Sequence, residues 1–208
     1  MKPIISIIVI ILLWTSCSYN KAAKTFERDK NIYVAMTDGK EKQLTFNQTD
    51  TDPILIEGKD YIVFLRSQGF SDFQSIKIMK VNIKDLAEAV ITDQKSYQDF
   101  EGKNQIFSVR NLTLSFDKKS LIFVTEKYAT GSQMVKVNLE NGEWTEMFTA
   151  EVFEIIDKGE YAGYFLAGQS DIEDRGRDVY YRLLNDSGRI IKKFSDEESM
   201  RSFKATLK

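Results

Sequence analysis

Residues Tyr33 to Arg66, "YVAMTDGKEKQLTFNQTDTDPILIEGKDYIVFLR", hold two apolar bursts, a Thr37-Asp38-Gly39-Lys40 turn, Asp50-Thr51-Asp52-Pro53, and a second turn at Gly58-Lys59-Asp60. Asp-Gly is the chemistry of short β-hairpins, because Gly takes positive φ without steric cost. The second burst, Ile62-Val63-Phe64-Leu65, does not alternate. A strand with one wet face would alternate, so this one is expected to be buried on both faces.

The same device recurs along the chain. Lys84-Asp85-Leu86, Glu140-Asn141-Gly142-Glu143 and Asn185-Asp186-Ser187-Gly188 each follow an apolar run and precede a polar strand. With the Gly39 turn they step at about 50 residues, the length of a four-stranded blade. "FDKKSLIFVTE" (116–126) and "DKGEYAGYFLA" (157–167) repeat the turn and doubly apolar strand. The sequence therefore predicts an all-β chain, a small propeller of about four four-stranded antiparallel blades. Three whole blades are expected at about 51–93, 104–149 and 151–195. A composite fourth would pair the tail "SFKATLK" with the N-terminal strands, or the arc stays incomplete and is finished by a partner or a second copy. Ser195-Asp196-Glu197-Glu198 offers a rival for the tail, a capping box opening a terminal helix. In the opening stretch, Asp50 to Pro53 is expected to cross between blades.

These residues resemble the TolB-type, WD-like propeller repeat. Leu44-Thr45, Asp52-Pro53 and Gly58-Lys59 match its pattern. Leu114 to Glu126 is a second copy, with Phe116 where the family has Pro and Lys118 where it has Gly; residues 155–167 are a third, more divergent one. The resemblance runs from about Asn31 to Ser195. It implies a propeller whose loops dock a partner, while leaving that partner's identity open.

The chain of 208 residues opens with Lys2, an apolar run from Ile4 to Trp14, and Thr15-Ser16-Cys17. Eleven residues as a helix rise about 16 Å, too short to span a bilayer comfortably. The segment has the layout of an export signal. It resembles the bacterial lipobox, in which cleavage precedes a diacylglycerol-bearing cysteine, although Trp14 stands where Leu is usual. The expectation is a signal peptide at 1–16, a lipidated Cys17, a polar tether at 17–30, a propeller domain at 31–208, and a place in the bacterial cell envelope. An ordinary export signal is the alternative.

Composition narrows the chemistry. With no His and one Cys, the chain has no Ser-His-Asp triad, internal disulfide or thiolate metal cage. A net charge of −2 with mixed signs advertises no nucleic acid. The leading expectation is a non-catalytic protein-binding scaffold without cofactor, touching the membrane through Cys17 and docking another envelope protein. The alternatives are an Asp/Glu-dependent glycan hydrolase or lyase, and a sensor of a small ligand or Ca²⁺. The candidate recognition loop is "SDIEDRGRD", gathering Asp171, Glu173, Asp174, Arg175, Arg177 and Asp178; the plain reading is a solvated hairpin between the second and third strands of a blade. Asp50 and Asp52 are read as a ligand pair or as Asx-turns before Pro53. Phe70 and Phe73 are candidate aromatic contacts.

Overall fold

The structure is a computed structural model that describes residues 21–68, 75–92, 97–98, 104–105, 108–127, 131–173 and 176–207. The strands are β1 (Ala22–Arg28), β2 (Asn31–Met36), β3 (Glu41–Gln43), β4 (Asp50–Leu55), β5 (Tyr61–Gln68), β6 (Ser75–Asn82) and β7 (Glu88–Thr92). A small ribbon, β8 (Tyr97–Gln98) with β9 (Asn104–Gln105), follows β7. There follow β10 (Arg110–Leu114), β11 (Ser120–Lys127), β12 (Gly131–Asn138), β13 (Trp144–Thr149), β14 (Val152–Ile155), β15 (Phe165–Glu173), β16 (Gly176–Leu184) and β17 (Ile190–Phe194). A helix, α1 (Glu197–Thr206), ends the chain.

The strands form antiparallel meanders in chain order: β1-β2-β3, β4-β5-β6-β7, β10-β11-β12-β13 and β14-β15-β16-β17. The second strands of the two middle sheets, β5 and β11, are apolar on both faces because those sheets are packed on both sides. In β5, Ile62 and Phe64 face the first sheet with Ile32, Val34 and Leu44. Val63 and Leu65 face the third, against Leu121, Phe123, Val135 and Val137. In β11, Ile122 and Val124 turn the other way, toward Phe165, Ala167 and Leu184 of the last sheet. Burying a Leu, Ile or Phe side chain contributes about 1.5–3 kcal/mol, so these seams set the stacking. The architecture is an all-β, propeller-type stack of four sheets.

The repeat is visible in the backbone. Asp52 and Asn111 both take positive φ (51° and 56°), and each sits at a bulge in the first strand of its sheet. The hairpins after β6 and β12 are built alike. Asn82 Oδ1 accepts from Lys84 N–H and Asn138 Oδ1 from Glu140 N–H, both at 2.8 Å. The Leu86 N–H bonds to Asn82 O as Gly142 N–H does to Asn138 O.

Two expectations are corrected. Asp50–Leu55 is the first strand of the second sheet and not a crossing; residues 44–49 make the crossing. The tail does not complete a composite blade. It forms α1, whose Met200 and Phe203, with Leu207 just beyond it, cover the Leu166 and Leu183 face of the last sheet, where a further blade would stack. The capping box exists one residue later than Ser195: Asp196 is the N-cap and Ser199 its partner.

The first sheet has three strands. Its hairpin, with Met36 N–H to Lys40 O and Gly39 N–H to Met36 O, repeats the Asn185–Gly188 hairpin between β16 and β17. By that correspondence β1-β2-β3 are strands two to four of a blade. Among the described residues the counterpart of the first strand is missing, and β1 leans on β4, with Thr25 Oγ1 donating to Pro53 O at 3.3 Å. The first strand among the described residues, β1, falls within residues 17–30, the stretch expected to be a tether. Among the described residues no helix is long and apolar enough to cross a membrane.

Candidate functional site

Two depressions stand out. The first is a groove of about 460 Å³ between the first strands of the last two sheets, β10 and β14. Leu112, Leu114, Phe153 and Ile155 line it, with Asn111, Thr113, Glu154 and Asp157 as polar groups. Phe116 stands at its edge, 52% exposed. The Ser115–Lys118 turn holds Phe116 out: Ser115 Oγ donates to Asp117 Oδ1 at 2.6 Å, and Lys119 N–H donates to the same oxygen at 3.1 Å. Those two donors hold the Asp117 carboxyl below the usual carboxylate range, the Ser115 hydroxyl contributing most. Behind it Gly163 leaves room for the ring, since a Cβ there would lie 3.3 Å from Phe116. Glu154 is ion-paired with Lys204 of α1. The groove is thus an apolar strip with an exposed aromatic, a form suited to gripping a side chain of another protein.

The second depression, about 890 Å³, is a wedge lined by the start of β1 and the end of β4, with Lys21, the first described residue, at its edge. Its floor is Ala22, Met36, Leu55, Ile56 and Ile83. Lys42 crosses the seam, its Nζ donating to Ile83 O at 2.6 Å and Lys84 O at 3.1 Å.

The structure places Asp50 differently from either reading of it. Its side chain is 0% exposed and forms a two-point ion pair with Arg66, its cross-strand neighbour. It is a structural anchor at the first seam, unavailable as a ligand. Asp52 supplies the positive-φ bulge position. Of the recognition loop, Asp171 and Glu173 end β15 and Arg177 and Asp178 begin β16, with Asp171 opposite Asp178. These are the second and third strands of the last sheet. Asp174 and Arg175 lie outside the described residues, as do Phe70, Phe73 and Cys17. Among the described residues no three acids gather as a metal site. The Leu112–Phe116 strip was missed in the sequence; the available signal was Phe116 in place of the Pro of the TolB-type turn.

No protein-family model matches the chain, and no curated protein matches it in sequence. Solved structures do. TolB from Acinetobacter baumannii matches with TM-score 0.50 at 14% identity, over 81% of this chain and 38% of that one. Porphyromonas gingivalis dipeptidyl peptidase 4 gives 0.52 at 11% identity, over 83% and 31%. A puromycin hydrolase gives 0.51 at 13% identity, over 80% and 28%. The chain spans well under half the length of these proteins, and at such identities the likeness is one of fold alone. It agrees with the propeller-type architecture.

Proposed function

We propose that this chain is an envelope lipoprotein, anchored through Cys17, whose stacked sheets serve as a non-catalytic docking scaffold for another envelope protein. The observation that carries the docking role is Phe116, held exposed over the Leu112, Leu114, Phe153 and Ile155 groove. A large apolar side chain fixed in water beside an apolar strip is stabilised by covering it. The anchoring role rests on Lys2, the Ile4–Trp14 run and Ser16-Cys17.

Two experiments test these halves separately. Intact mass of the membrane-extracted protein should exceed the polypeptide mass by the acyl groups and lose them in Cys17→Ser; an unmodified wild type refutes the anchor. In-cell crosslinking from position 113 should give one dominant adduct that Phe116→Ser abolishes. A crosslink pattern unchanged by that substitution refutes the groove.

A further inference from the structure

The wedge between β1 and β4, about 890 Å³, is two-part in its make-up: an apolar floor under a rim of Lys21, Lys42, Lys59 and Lys84. Two acids, Glu57 and Asp60, share that rim. Both are already engaged, Glu57 by Lys118 and Asp60 by Lys84 at 2.6 Å. The adjoining turns add Asp38 and Lys40, themselves an ion pair, and Asp85. Lysine is therefore in excess around the wedge, although the whole chain carries −2.

Position gives this patch its meaning. Only four peptide steps separate Cys17 from Lys21, and they reach at most about 14 Å. With β1 beginning at Ala22, little chain remains for a long tether. An acylated Cys17 would hold the wedge within reach of the headgroups.

We propose that the wedge is a second membrane contact that takes anionic lipid headgroups, the lysines meeting phosphate and the Met36, Leu55 and Ile83 floor meeting the glycerol and upper acyl region. This deepens the envelope reading and rests on it for proximity, but the affinity of the wedge is a property of the folded chain alone. A lysine near an anionic surface strengthens binding about five-fold, so two together account for roughly thirty-fold. The contact fixes how the sheets stand on the membrane.

The test uses the full chain carrying Cys17→Ser, so that no acyl group takes part, floated with phosphatidylcholine vesicles with and without phosphatidylglycerol. The apolar N-terminal run acts on both vesicle types; the gain on adding the anionic lipid belongs to basic groups. The gain should fall with salt and drop roughly thirty-fold in Lys21→Gln/Lys59→Gln, while Lys30→Gln/Lys193→Gln, an equal charge change elsewhere, should keep it. No gain with anionic lipid, an undiminished gain in the first pair, or an equal loss in the control pair would overturn the proposal. Because the acyl mass at Cys17 is read separately, failure here and failure of the anchor are distinguishable.

Discussion

Arg66 grips Asp50 across the β4–β5 ladder with two hydrogen bonds, Nε to Oδ1 at 2.6 Å and Nη2 to Oδ2 at 2.8 Å. The same guanidinium reaches Glu88 through Nη1 and Nη2 at 2.6 and 3.0 Å and lies 5.2 Å from the Phe64 ring centre. The Asp50 hydrogen bonds, against the opposing effect of burial, push the Arg66 pKa well above its ordinary value. Asp50 N–H also bonds Lys30 O, so the strap ties the first sheet to the second.

Removing one partner of such a pair leaves a charge buried without its counterion, at a cost of about 3–5 kcal/mol. Arg66→Met should lower unfolding free energy by that amount in urea titrations. The double variant Asp50→Ala/Arg66→Met should recover part of the loss, since it strands no fully buried carboxylate, Glu88 being 30% exposed. Equal stability of the Arg66→Met and wild-type proteins would contradict the strap.

Two glycines of similar φ should respond differently to alanine. At Gly39 (φ 81°) nothing lies within 4 Å of an added Cβ, so Gly39→Ala meets only the left-handed backbone cost, about 1–2 kcal/mol. At Gly142 (φ 71°) the Cβ would collide with Ile91 O, a backbone atom of the neighbouring sheet rather than the end of a flexible side chain. Gly142→Ala should therefore be the worse of the two by a clear margin in thermal melts.

How far such features were readable in advance depended on whether their cause was local. Gly39, Gly142 and Gly188 announce their turns in two or three residues, and the doubly apolar Ile62–Leu65 announces a strand stacked on both sides. Asp50 could not be read the same way, because its partner is sixteen residues on and is set opposite only by the β4–β5 register. The fate of the tail was likewise undecidable locally. "SFKATLK" suits a strand or a helix, and what settles it is the Tyr161, Tyr164 and Phe194 surface that receives Phe203. The β10–β14 groove arises from stacking two sheets, so its residues share no motif.

Lys118 shows the converse, a strained residue where the repeat favours Gly. It holds φ 58° in an exposed turn. Lys118→Gly should raise stability by about 0.5–1 kcal/mol, strain relief exceeding the added freedom of the unfolded chain. Its ion pair with Glu57 is exposed on both sides, and such pairs contribute little. A loss of stability in urea titration would show that the pair matters more than the backbone.

Acid should loosen the third sheet through Asp117. Its folded pKa lies below the unfolded value because Ser115 Oγ and the Lys119 N–H bond the charged form. A depressed carboxyl contributes stability that is fully present above the unfolded pKa, near 4, and is lost as pH falls through the folded value. Melting temperature should decline below about pH 4, and the decline should be shallower in Asp117→Asn. Asp38, Glu57 and Asp196 are lowered as well and act in the same direction, so the slope should shrink without vanishing.

The terminal helix α1 stands where another blade would pack. Phe203 meets Phe194 and Tyr161 with ring centres 5.3 and 5.7 Å away, and Lys192 Nζ lies 4.5 Å from its ring. Leu166 and Leu183 lie buried in the same cluster. Phe203→Ser should expose part of this face at a cost of about 1–3 kcal/mol. Deleting residues 197–208 should expose more of it, and the shortened chain should bind a hydrophobic dye and sediment as a dimer or larger species. If the deletion leaves it monomeric and no more dye-reactive than the intact chain, the helix is an appendage, and the end of the stack is closed by the β14–β17 sheet itself.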